Sequence, residues 1–170
     1  IKAVITAYAH PLPVEDEVQR AICLYEIFLR YWVLGLRHAG SPYAYHAIGS
    51  TIITSATAYL EVRGMNRRQA GEDFYFLNKL AKVGEIHYLR DTCVYPAARV
   101  SLRVPFGTGK KMNDFLSQKD RPFLTYDPRV FAVLQRWLEL METEGKRNVE
   151  EILEVAGKIH PLLTRFLDLC

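Results

Sequence analysis

Residues 64–84, GMNRRQAGEDFYFLNKLAKVG, hold the most informative pattern in this 170-residue chain. Two acids, Glu72 and Asp73, stand side by side ahead of the aromatic run Phe74, Tyr75 and Phe76. Gly84 after Lys82-Val83 marks a helix exit. The entry has two candidates: the capping-box spacing Asn66-Arg67-Arg68-Gln69, or a start nearer Gly71. On a helix, at about 100° per residue, Asp73 shares a side with Phe76, Leu77 and Leu80, while Glu72 turns toward Tyr75 and Lys79. One carboxylate heads for packed apolar surface and its neighbour for polar surroundings, so the two acids are set up for different pKa values. The segment also admits a plain reading: two acids favoured at a helix start, with Glu72 paired to Lys79.

Working outward, Ala3–Ala9 reads as a short strand stopped by His10-Pro11 and Pro13. Val14–Ala39 reads as a long helix: Pro13 and the acids Glu15, Asp16 and Glu17 suit its start, and Val18, Ile22, Tyr25, Leu29, Trp32, Val33 and Leu36 fall near helical spacing. Gly40 and Pro42 stop it. The β-branched stretch Ser50–Ser55 is a strand candidate, Ala56–Val62 a brief helix closing at Gly64, and Glu85–Tyr95 a strand ending at Pro96. Ala97–Gly109 reads as a loop, with Pro105, Gly107 and Gly109 excluding regular structure. Helices follow at about Lys110–Ser117, from Asp127-Pro128 to Glu142, and from the capping box at Asn148, with a kink expected at Pro161. The fold class is mixed α/β, with one body over 1–120 and a helical C-terminal extension over 121–170.

Composition bounds the rest. Apolar residues make up 49% and charged residues 24%, enough for one sizeable core and too apolar for a disordered chain. Cys23, Cys93 and Cys170 are odd in number and far apart, which matches neither a disulfide framework nor a zinc site and agrees with an intracellular setting. No secretory signal stands at the front, and the longest stretch free of charge, His38–Leu60, holds too many Gly, Pro and hydroxyl residues for a membrane span. The opening Ile1, running straight into IKAVITAYA, reads as the edge of a piece of a longer protein.

The net charge of +3 conceals a cluster. Between Arg99 and Arg121 stand Arg99, Arg103, Lys110, Lys111, Lys119 and Arg121 against Asp114 and Asp120, a local +4. Interleaved with Gly107 and Gly109, these cations suit an anionic group held by backbone N–H and ammonium or guanidinium groups; a solvated basic surface is the alternative. Arg63, Arg67 and Arg68 add charge ahead of the acids. Cationic segments bracketing two carboxylates fit a phosphorylated substrate better than nucleic acid, for which no motif is present. The stretch 42–50, PYAYHAIGS, offers aromatic faces for a sugar ring, with His46 either a cleft residue or a satisfied structural histidine. His10, His38, His87 and His160 lack metal-ligand spacing.

Taken together, HAIGSTIITSATAYLEVRGMNRRQAGEDFYFLNKLAKVG and the following VYPAARVSLRVPFGTGKK resemble the second half of bacterial, inverting family 2 glycosyltransferases of the GT-A fold. In that family a strand and turn lead into a Gly-Gly-Met/Phe-like element, matched here by Arg63-Gly64-Met65. An acceptor-site Glu-Asp at the head of a helix ending in Lys-x-Gly comes next. The resemblance covers residues 1–112. It implies a partial GT-A-like fold and transfer of a sugar from a nucleotide-sugar donor to an acceptor hydroxyl, with Asp73 as general base and Glu72 as its acceptor-binding neighbour. It further implies substrate contacts from Gly64 and Met65; His46 of the aromatic stretch and Gly107, Gly109 and Lys110 of the basic segment are further expected substrate-binding residues. Arg99 and Arg103 stand where the family's basic motif steadies the diphosphate, without its Gln-x-x-Arg-Trp form. The family's Asp-x-Asp, which holds a divalent metal (Mg or Mn), is absent, so the metal's ligands are expected outside this chain and the fragment alone is expected to be inactive. A non-catalytic assembly module on the same scaffold is the competing expectation, with self-association of the fragment and peripheral membrane contact from the cytoplasmic side as further ones.

Overall fold

The computed structural model describes residues 1–67, 70–98, 108–117, 123–144 and 148–167. Within them the chain is mixed α/β, in the order β1 (Ala3–Tyr8), α1 (Asp16–His38), β2 (Ile52–Thr54), α2 (Ala56–Glu61), α3 (Glu72–Val83), β3 (Ile86–Val94), α4 (Thr108–Ser117), α5 (Arg129–Glu144), α6 (Val149–Ile159) and α7 (Pro161–Leu167). Two compact units result: residues 1–31 with 45–124, and residues 32–44 with 125–170.

The first unit is organised by β1. It is the middle strand of the sheet order β2-β1-β3, antiparallel to β2 and parallel to β3. Its residues Ala3, Ile5, Thr6 and Tyr8 are buried, as a central strand flanked on both edges requires. Opposite β1 the partner changes from Leu89 at Thr6 to Cys93 at Ala7, so Arg90–Thr92 bulge out of the ladder. Residues 87–93 of β3 are exposed along their whole run. Phe76, Leu77 and Leu80 of α3 are buried, while Ala21, Ile22 and Tyr25 of α1 close over Met112 of α4. The helical spacing expected for α1 and α3 therefore matches the buried faces.

The second unit is helical. Trp32 meets the rings of Tyr126 and Phe131 at 5.0 and 5.7 Å, and Val33, Leu36, Leu140 and Ala156 are buried. Asp127 caps α5 by accepting the Arg129 N–H at 2.9 Å, and Asn148 caps α6 by accepting that of Glu151 at 2.9 Å.

Four local expectations are corrected. The strand expected over Ser50–Ser55 shrinks to Ile52–Thr54, because Gly49–Thr51 forms a 3₁₀ turn held by the Thr51 N–H and hydroxyl on the Ile48 carbonyl. Gly109 belongs to the first turn of α4 instead of the preceding loop. Pro161 does not kink a helix: His160 is extended, and Pro161 opens α7, where its missing N–H costs nothing. Glu72 is not paired with Lys79, whose ammonium donates to the Val62 carbonyl at 2.9 Å, to the Gly64 carbonyl and to Asn66 Oδ1 at 3.2 Å.

Candidate functional site

The acidic pair opens α3. Gly71, at φ +73°, supplies the left-handed corner from which the helix starts, so the Gly71 entry and not the Asn66 one is used. Asp73 Oδ1 accepts the Phe74 N–H at 2.7 Å. Its other oxygen faces the 3₁₀ turn: a Cβ on Gly49 would lie 3.7 Å from Oδ2. Burial pushes the Asp73 carboxyl above its ordinary value, and the neighbouring Glu72 charge adds to the rise. The backbone N–H groups of Phe74 and Gly49 pull it partly back.

Buried Tyr25 of α1 belongs to the same neighbourhood. Burial raises its phenol pKa, its oxygen accepts from Thr108 Oγ1 at 3.3 Å, and the Asp73 charge raises it further. From Tyr25 a row of aromatic rings runs to the end of β1: Tyr25–His10 at 6.1 Å, His10–Tyr8 at 5.9 Å and Tyr8–His46 at 5.0 Å, all edge-on. His46 thus joins this row by an edge-on contact with Tyr8.

Beneath the row, Glu26 ties α1 to the end of β1. Its Oε1 accepts the His10 backbone N–H at 2.7 Å and pairs with Nδ1 at 2.9 Å, and its Oε2 meets Arg30 at 2.6 Å. Burial disfavours the charged form of Glu26, but the His10 hydrogen bonds and Arg30 outweigh it and hold the carboxyl below its usual value. Arg30 also donates to the Tyr8 carbonyl at 3.3 Å and lies over the Tyr8 ring. The phenol of Tyr8 is driven up by burial despite that cation. His10 Nε2 is buried with no hydrogen-bond partner among the described residues.

Of the other expected site residues, Gly64 and Met65 belong to the turn after α2, and Gly109 follows Thr108, which bonds Tyr25. Gly64, at φ +66°, closes α2: its N–H bonds the Tyr59 carbonyl at 2.8 Å, and that of Arg63 bonds the Leu60 carbonyl at 2.9 Å, the paired bonds of a Schellman ending. A Cβ on Gly64 would lie 2.7 Å from the Tyr59 ring, so the position takes glycine for packing as well as for φ. Met65 follows it, partly exposed. Lys79 clamps this turn to α3 almost two helical turns beyond Asp73. Gly109 and Lys110 lie in α4, where Lys110 pairs with Asp114 one turn on. Arg99, Arg103 and Gly107 lie outside the described residues.

The cluster around Tyr8, His10, Tyr25, Glu26 and Arg30 was not singled out from the sequence. Only the Glu26/Arg30 spacing of four was legible; the His10–Glu26 and Tyr8–Arg30 contacts join residues 16 and 22 positions apart. Among the described residues no group of three His, Cys, Asp or Glu side chains is placed to hold a metal ion, and Glu26 is already engaged by His10 and Arg30. What the Asp73 carboxylate can do is accept a hydrogen bond from a hydroxyl and take its proton, with a basicity raised by partial burial. No protein-family model, curated protein or solved structure matches this chain.

Proposed function

We propose that the chain is the acceptor-side part of an inverting glycosyltransferase with Asp73 as general base. The acceptor hydroxyl gives its proton to the Asp73 carboxylate while its oxygen bonds the anomeric carbon of the donor sugar. The bond from that carbon to the nucleotide diphosphate breaks, and the electron pair leaves with the diphosphate. Glu72, beside it, holds the acceptor by hydrogen bonding. The nucleotide-sugar pocket and its divalent metal belong to a portion of the enzyme outside this chain, on the cytoplasmic side. The observation that carries the reading is the half-buried Asp73 carboxyl at the head of α3, raised in pKa yet held by the backbone N–H groups of Phe74 and Gly49.

The test is transfer of labelled sugar by the complete enzyme. Asp73→Asn should lower kcat by roughly 10²–10⁴ with donor binding retained, the range expected for a lost general base. Near-normal turnover in that variant would refute the assignment. A second reading, a non-catalytic assembly module, draws support from the exposure of β3, whose Tyr88 and Leu89 are partly open to solvent.

A further inference from the structure

We propose that the shoulder formed by α2, the turn after it and the outer side of α3 is a docking face for an anionic lipid surface. Leu60 is 73% exposed, Tyr59 41%, Tyr75 38% and Met65 37%, four large apolar side chains within two short helices and the turn joining them. Contacts hold the two helices and the turn together. Lys79 clamps residues 62–66 to α3, Tyr75 lies one helical turn before Lys79, and the Tyr59 ring packs 5.4 Å from Phe76 of α3.

The charge on this face has one sign to spare. Arg63 and Arg67 have no ion-pair partner among the described residues, the Lys79 ammonium is held by neutral acceptors, and Glu61 is neutralised by Lys2 at 2.6 Å, so Glu72 beside Tyr75 still leaves the cations in excess. Arg63 also sits at φ +58°, where a residue with a Cβ is strained and glycine is usual. An exposed cation thus stands at a position that favours glycine. Tyrosine rings and a leucine beside exposed arginines are the composition that seats at a headgroup boundary, apolar parts toward the acyl chains and guanidinium groups on phosphates. A second copy of the chain would bring its own arginines against these, and an acidic protein partner in place of lipid would show as failure to bind the anionic vesicles. Lipid docking is assayed without sugar transfer, so the two proposals stand or fall separately.

The experiment is co-sedimentation of the chain with vesicles of phosphatidylcholine alone and of phosphatidylcholine mixed with phosphatidylglycerol. Binding is expected only to the mixed vesicles, and it should weaken as salt is raised. Leu60→Ser should weaken it about tenfold, and the pair Arg63→Gln with Arg67→Gln about thirtyfold. The lysine pair, R63K with R67K, should bind like the parent, as should Arg20→Gln on α1. Arg63→Gly separates docking from folding: it relieves the left-handed strain and should raise thermal stability while weakening binding about fivefold. Absence of binding to the mixed vesicles would overturn the proposal. So would equal losses from Arg20→Gln and the Arg63/Arg67 pair, or concentration-dependent self-association abolished by Leu60→Ser.

Discussion

Gly35 lies in the interior of α1, where glycine is a poor choice: alanine there would favour the helix by about 1 kcal/mol. Packing against α5 opposes that gain with a greater cost. A Cβ on Gly35 would fall inside the van der Waals envelope of the Phe131 ring, which is 3% exposed and flanked by Trp32 at 5.7 Å. The ring must move by more than an ångström, in a site with little room to receive it, and overpacking of that severity costs about 2–3 kcal/mol. Gly35→Ala should therefore destabilise the second unit by about 1–2 kcal/mol, a fall in Tm of roughly 2–8 °C for a chain of this size. Both tryptophans, Trp32 and Trp137, belong to that unit, so intrinsic fluorescence during chemical denaturation reports on it directly. The decisive comparison is made in a Phe131→Ala background. With the ring gone the clash is gone, and the same Gly35→Ala change should become stabilising by up to about 1 kcal/mol, although Phe131→Ala itself costs about 3–5 kcal/mol. A Gly35→Ala protein as stable as the parent, or an unchanged sign in the Phe131→Ala background, would refute the packing of Phe131 on Gly35.

Three other outcomes follow from the first unit. Lys79→Met strips the Val62 and Gly64 carbonyls and Asn66 of their common donor, and urea unfolding should show a loss of about 2–4 kcal/mol after allowance for partial exposure; a change below about 0.5 kcal/mol would mean that the turn does not depend on the clamp. Asp73 has a raised pKa, so its ionised form opposes folding, and stability falls as pH climbs from the unfolded value through the folded one. Asp73→Asn should then be neutral or stabilising at pH 7 while transfer is lost, and a marked fall in Tm would count against the burial argument. Glu26 is the opposite case: its lowered pKa contributes stability above the ordinary glutamate value that is lost as pH falls through the folded one. Glu26→Gln should cost about 1–3 kcal/mol at pH 7 and progressively less in acid, as followed by circular dichroism; a cost independent of pH would assign the effect to packing.

The legibility of these features tracks how local they are. Asp73, Phe76, Leu77 and Leu80 share a side because a helix repeats every 3.6 residues, and that reading needed nothing beyond the order of residues. The N-caps at Asp127 and Asn148, like the glycine closing α2, depend on neighbours within a few positions. The start of α3 was harder, since Asn66 and Gly71 both carry entry signals. The choice falls to Gly71 because residues 62–66 are committed to closing α2, and Lys79, from the middle of the later helix, fastens them there. A pairing of Glu72 with Lys79 was plausible by spacing, and lost because two carbonyls and an amide oxygen offer the ammonium a more complete set of acceptors.

Periodicity and turn chemistry thus settled most element types and the side of α3 that Asp73 shares with Phe76, Leu77 and Leu80, because each depends on contacts within a few residues. The row of rings from Tyr25 to His46, the Glu26 bridge to His10 and the approach of Gly49 to Asp73 were decided only when β1, α1 and α3 packed together. Apart from Tyr8 with its near neighbour His10, those contacts join residues 15 to 38 positions apart, where no repeat along the chain records which partners meet. The carboxyl of Asp73 owes its raised pKa to that packing: the helix aims it inward, and the surrounding fold removes the water.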